Sequence, residues 1–244
     1  LRLAQWNSGK MHNAIPRDGK IVFAVPADKK EEVKADWNNF QKDVEDEYHV
    51  TDTHMEWKLG STDAQPVLPK AVSVNLIRAI QAVDNGVLAM CQDEALAWMV
   101  ETSSNIASVQ TEENKVNIVS SQRSNVMSNL KNMANAVKAT FQLAGAEVKQ
   151  NDGYPAWKMN PESKLVKITV EAYKKLFGKA PIVKGIHAGL ECGLFSEKYP
   201  HLDMVSFGPT LRNVHTPDEC LLIPTVQMVW DHLLEILKNI PAKA

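Results

Sequence analysis

The sequence predicts an α/β protein built in two parts, a mixed α+β region followed by a shorter region of alternating helices and buried strands. Three observations lead there. The 244 residues, 44% hydrophobic and 23% charged, suffice for one large core or two modest ones and carry no signature of disorder. Apolar residues recur at spacing two in some segments and at three and four in others, the periods of strands and helices. The densest turn cluster, Asn151-Asp152-Gly153-Tyr154-Pro155, separates the two regimes and sets a domain junction near residue 156, dividing the chain into 1–156 and 157–244.

In the first part, residues 1–6 alternate like the end of a strand pair already under way, which marks the chain as the C-terminal part of a longer protein. Residues 20–27 read as a β-branched strand stopped by Pro26, and Asp28 caps a charged helix reaching about residue 47. Residues 50–59 alternate as a half-buried strand does. Pro69 opens a helix with Val72, Leu76, Ile80 and Val83 on one face, ended by Asn85-Gly86. Strands follow near 87–90, 98–109 and 115–122. Ser124 caps a long helix with Val126, Leu130, Met133, Val137 and Phe141 inward, Gly145 ends it, and 147–150 start a short edge strand.

In the second part, Asn160 caps and Pro161 opens a helix with Leu165, Ile168, Ala172 and Leu176 inward, closed by Gly178. A strand over 182–186, a helix over about 189–198, a strand over 204–207 and a helix over 224–239 complete the pattern. Two strands joined by a helical crossover imply part of a parallel sheet. Its open edges call for further strands, and a region preceding Leu1 is their natural source.

The net charge of −2 is dispersed without a basic block, so nucleic acid is not an expected partner. No apolar run is long enough to span a bilayer and no secretory leader pattern stands at the N-terminus, so neither membrane nor secretion is expected. Cys91, Cys192 and Cys220 are odd in number, widely spaced and without a C-x-x-C pair. That pattern argues against a disulfide framework or a thiolate zinc knot and fits a reducing cytoplasm.

Two apolar runs break into glycine-rich turns that carry histidine or acidic groups, as α/β enzymes do where strand ends present reactive side chains. One is Ile186-His187-Ala188-Gly189-Leu190-Glu191-Cys192-Gly193; the other is Ser206-Phe207-Gly208-Pro209-Thr210 followed by Val214-His215-Thr216-Pro217-Asp218-Glu219. His215 is the strongest single candidate, because a neutral imidazole is a good zinc ligand and Pro217, Asp218 and Glu219 can stiffen and brace its loop. The alternative is a loop histidine that only caps the turn. His187 and Glu191 stand four apart, and Gly189 between them lets the backbone approach a substrate or metal closely; structural hydrogen bonding is the alternative. His12, His49, His54, His201 and His232 have no partner at ligand spacing, and no H-E-x-x-H helix is present.

These motifs, together with Met11-His12-Asn13-Ala14-Ile15-Pro16-Arg17 and Ser120-Ser121-Gln122-Arg123-Ser124, resemble the aminoacyl-histidine dipeptidases, the Xaa-His dipeptidase or bacterial carnosinase family of di-zinc metallopeptidases. The resemblance covers nearly the whole chain and corresponds to that family's C-terminal half. It implies that 1–156 is most of an α+β lid/dimerisation domain, lacking its N-terminal part, and that 157–244 is the C-terminal part of the zinc-peptidase α/β catalytic domain.

By the same resemblance, His215 ligates one of two zinc ions, other divalent metals being able to substitute, and Asn13, Arg123 and Gly189 bind substrate. Arg123 takes the place of an arginine that grips the terminal carboxylate of a dipeptide, a task suited to a guanidinium fork. His187, Glu191, Asp218 and Glu219 are candidates to support the metal and substrate ligands from behind. The remaining ligands and the general base belong to the N-terminal half of the catalytic domain, so no catalytic residue is expected in this chain. Ala156 where glycine is usual, the bulky Leu211-Arg212-Asn213-Val214 and the apolar Cys220-Leu221-Leu222 depart from the family and bear on substrate preference.

The expected protein is a cytoplasmic homodimer, joined through its lid, that hydrolyses Xaa-His dipeptides such as carnosine, while the fragment alone is inactive. A non-catalytic binding or dimerisation protein of the same architecture is the reading from another class, and a metal-dependent deacylase the neighbouring enzyme.

Overall fold

The structure is a computed structural model that describes residues 1–244 except 152, 154, 156, 158, 159, 186, 188, 189, 215–217 and 242–244, and the backbone alone of residue 95. The chain is mixed α/β and clusters into two compact units. Unit 1 comprises Leu1–Gly86, Ser104–Gln122 and Met133–Gln150; unit 2 comprises Val87–Ser103, Arg123–Asn132 and Asn151–Ala244.

The main sheet has β1 (Arg2–Ser8), β2 (Gly19–Ala24), β3 (Gly86–Met90), β4 (Val100–Thr111) and β5 (Val116–Ser124) in the order β2-β1-β4-β3, with β5 also on β4. β1 runs antiparallel to β2 from Arg2↔Ala24 to Ser8↔Gly19 and meets β4 at Asn7↔Gln110 and Ser8↔Val109. Helices α1 (Lys30–Glu47), α2 (Lys70–Ala82) and α3 (Met127–Leu143) accompany these strands. The core of unit 1 gathers Ala79 and Val83 from the α2 end with Val137 and Phe141 of α3, and Ile106 and Ile118 of the sheet close it. In each helix those residues stand four apart, so one stripe of each is removed from water.

A bulge between Leu3 and Gln5 interrupts β1, and α2 compensates for it. The buried Leu3 N–H donates to Ser73 Oγ at 3.2 Å, and the Leu3 carbonyl accepts from Leu68 N–H at 2.7 Å. Ser73 is 0% exposed, so its hydroxyl is a structural partner that nothing in water can replace.

In unit 2, α4 (Lys164–Phe177) lies against α6 (Pro224–Asn239). Buried His232 joins them: its Nε2 lies 2.8 Å from the Thr169 carbonyl, and its ring contacts Tyr173, Phe177 and Phe207. Ser163 is the N-cap of α4, accepting from Val166 N–H, and Gly178 closes the helix at φ 69°. The helix α5 (Glu191–Lys198) and a small antiparallel hairpin, β6 (Leu211–Arg212) and β7 (Cys220–Leu221), complete the unit.

The expected helices form, although Val72 of α2 and Leu176 of α4 are exposed rather than inward, and several expected strands do not form. Residues 50–59 are not a strand, 50 and 51 belonging to the turn after α1; their alternation reflects the half-buried Met55 and Trp57, with the Trp57 ring 5.7 Å from Trp37 and 5.9 Å from Phe40 of α1. Residues 147–150 are likewise not a strand, and neither are 182–185 and 204–207; residue 186 lies outside the described residues. A strand needs a neighbour's backbone, which no apolar run can supply for itself. The expected parallel crossover is therefore not formed among the described residues. Asn160 does not cap α4 but accepts from Glu162 N–H one turn earlier, and Ser124 ends β5 rather than capping α3, although its hydroxyl accepts from Val126 N–H.

Replacing Ser73 with Ala leaves the Leu3 N–H buried without a partner, and the expected cost is about 1–3 kcal/mol of stability. Urea unfolding of the protein measures this as a lower midpoint at unchanged slope.

Candidate functional site

The polar cluster that brings sequence-selected residues together lies in unit 2, where the start of β4 and the end of β5 meet the segment leading to His187. Gly185 packs so closely on this frame that a Cβ there would sit 2.6 Å from Met99 Sδ. Two residues on, His187 Nε2 is 2.7 Å from Ser103 Oγ of β4, and Arg123 of β5 donates through Nη1 to the His187 carbonyl at 3.3 Å. Burial first, then the Arg123 guanidinium, holds the His187 imidazole below its ordinary pKa of 6.5, and a hydrogen bond with the Val100 backbone partly offsets them. Arg123 is half-buried and has no ion pair among the described residues. Its remaining N–H groups can receive a planar anion such as a carboxylate.

Asn13 belongs to unit 1, on an exposed loop that its surroundings hold in place. The loop begins at Gly9, where φ is 68° and a Cβ would collide with the Ala107 carbonyl oxygen. Gln110 Nε2 donates to the Gly9 carbonyl at 2.7 Å, and Asn105 Nδ2 donates to the Ala14 carbonyl at 2.9 Å.

His215 and Gly189 lie outside the described residues. The hairpin whose loop contains His215 is described at its base. Leu222 N–H donates to the Thr210 carbonyl, Thr210 N–H donates to Thr225 Oγ1 of α6, and Asn213, at φ 53°, donates through Nδ2 to the Asp218 carbonyl. Asp218 and Glu219 are exposed, and Glu191 is the exposed first residue of α5. Among the described residues no three His, Cys, Asp or Glu side chains converge as a metal would need, so a metal centre is not completed by them.

The motif His201-Leu202-Asp203 has the spacing of an H-x-D metal pair, but its carboxylate is committed to structure. Asp203 accepts from Ser163 Oγ at 2.5 Å and from Leu165 N–H at 2.9 Å, at the positive end of α4. Burial would raise its pKa, but these bonds and the Lys164 and Met204 amides outweigh that and hold it below 3.8. Ser103 escaped the sequence reading, since a serine inside a strand has no signal that separates it from its neighbours Thr102 and Ser104. The three cysteines are free thiols.

With this geometry in hand, residues 19–239 match the model of peptidase family M20/M25/M40, and the chain belongs to that family. It is 36% identical over its whole length to the cytosol non-specific dipeptidase of Escherichia coli, of which it covers 50%. The crystal structure of aminoacylhistidine dipeptidase from Vibrio alginolyticus superposes at a TM-score of 0.84 and 37% identity, covering 100% of this chain and 49% of that one. The aminopeptidase PepT from Bacillus cereus shares the fold over 68% of this chain, with a TM-score of 0.51 and 20% identity. The chain thus spans about half the length of the relatives it matches. No described helix is long and apolar enough to cross a membrane.

Because the folded protein depresses the His187 pKa, the neutral ring contributes stability that is complete above pH 6.5 and lost as the pH falls through the lowered value. An NMR titration is expected to place the His187 midpoint below 6.5, and Arg123→Gln to raise it by removing the nearby positive charge. A midpoint at or above 6.5 contradicts the described packing.

Proposed function

We propose that the full-length protein is a cytoplasmic, metal-dependent dipeptidase that accepts Xaa-His dipeptides, and that this chain is its C-terminal half. Residues 1–156 are then most of the lid/dimerisation domain of a homodimer, and 157–244 the last part of the catalytic domain. The observation that carries this reading is the end-to-end similarity, at 36% and 37% identity, to two proteins named as dipeptidases. The cytosolic relative and the three free thiols support the compartment.

His215 is proposed as a ligand of one of two zinc ions, with Asp218 and Glu219 bracing its loop and Gly189 lining the substrate pocket. A metal pair supplies an activated water and polarises the scissile carbonyl. The part of this chain is to bind and orient. Arg123 takes the dipeptide carboxylate, a role favoured by a half-buried guanidinium with no ion pair among the described residues. Asn13 contacts substrate from the lid loop, and His187 and Glu191 support the substrate side. The chain spans about half the length of the relatives it matches, and the further proposal is that alone it hydrolyses no dipeptide.

The test is turnover of a panel of Xaa-His and other dipeptides by the full-length protein, before and after a chelator. Activity is expected to vanish on metal removal and return with zinc. Binding of dipeptides without hydrolysis would favour the non-catalytic reading, and preference for acylated amino acids a deacylase. In the active protein His215→Ala is expected to lower the metal content, leave the circular dichroism unchanged and reduce turnover by on the order of 100-fold or more. Arg123→Lys keeps the charge but loses the fork, so it is expected to raise KM for a dipeptide and leave the affinity for its C-terminal amide unchanged.

A further inference from the structure

We propose that Ser103 and His187 form a positioning pair that holds Arg123 in the orientation that receives the substrate carboxylate; this rests on the dipeptidase reading above. Ser103, Arg123 and His187 come from three separate pieces of unit 2: the first residues of β4, the last of β5 and the segment that contains His187. The only direct tie of this segment to Arg123 among the described hydrogen bonds is the His187 carbonyl, 3.3 Å from Nη1. Where that carbonyl sits depends on how the residue's own side chain is held.

The ring is held on β4 by its Nε2, 2.7 Å from Ser103 Oγ, and either group can be the donor in that bond. The Ser103 contact fixes the ring, and with it the position of the residue's carbonyl. Gly185, two residues earlier, seats the same segment on the Met99 side chain, which a Cβ there would displace. Arg123, gripped at one N–H by a fixed carbonyl, keeps its other N–H groups for an incoming anion, and no carboxylate of the described protein competes for them. Ser103 and His187 thus act through Arg123, without touching the reacting atoms.

The experiment uses the full-length, metal-loaded protein and its Ser103→Ala and Ser103→Thr variants, with one dipeptide as substrate and its C-terminal amide as competitive inhibitor. Removing the hydroxyl is expected to raise KM for the dipeptide about tenfold, with kcat within about twofold and the inhibition constant of the amide unchanged. Threonine keeps the donor and is expected to restore KM. A Ser103→Ala protein that weakens dipeptide and amide alike, or neither, overturns the proposal while the dipeptidase reading stands. Wild-type protein that hydrolyses no dipeptide overturns that reading and this inference with it. Should Ser103→Ala fail to fold, Ser103→Cys, which keeps the side-chain position but replaces the hydroxyl by a weak donor and acceptor, takes its place with the same two readouts: a raised KM with the amide unchanged supports the pair, and any other pattern contradicts it.

Discussion

A segment with no strand beside it must satisfy its polar groups by other means, and His187 does so at the ends of β4 and β5. Gly185 lies close against the Met99 side chain; His187 spends its ring on Ser103 and its carbonyl on Arg123. The neutrality of the imidazole follows from this arrangement. A protonated ring would be partly removed from water and would face the guanidinium beside it, so burial and charge act in the same direction. Arg123 in turn is one of the few cations of the described protein that is half-buried without a carboxylate, the condition under which an external anion is worth binding.

The remainder of unit 2 is organised around helix ends. Asp203 and Ser163 fix the start of α4, and His232 locks α4 to α6 through the Thr169 carbonyl and three aromatic neighbours. The start of α6 then carries the hairpin, since Thr225 accepts from Thr210 N–H and donates to the Leu222 carbonyl. The helix pair thereby carries the base of the hairpin. Membership of peptidase family M20/M25/M40 gives that loop its interest, and the local bonds explain how so short a hairpin keeps its form.

Local features were legible where the signal itself is local. The helix over 224–239 is found at those bounds, the helix opened by Pro69 occupies Lys70–Ala82, and Gly178 ends α4 in the left-handed conformation its position suggested. The alternation over 50–59 and the local pattern at 147–150 and 204–207 suggest strands, but strand formation depends on a partner elsewhere in the chain, which a local pattern does not report. The two-residue strands β6 and β7 are too short to show any period. Arg123 and His187 were both singled out, yet they lie 64 residues apart, and Ser103 lies 84 from His187, so their meeting is a product of the fold. His201-Leu202-Asp203 shows the converse case, a metal-like spacing whose carboxylate the fold uses to start a helix.

The central claim is that Arg123, braced by His187, is the anion receptor of a dipeptide site. A crystal structure of the full-length protein with a non-hydrolysable dipeptide addresses it most directly. The ligand carboxylate should lie within hydrogen-bond distance of the Arg123 guanidinium, with the His187 carbonyl still on Nη1 and Ser103 still on the imidazole. A dipeptide whose carboxylate is bound by other groups, with Arg123 turned away from it, would contradict the claim.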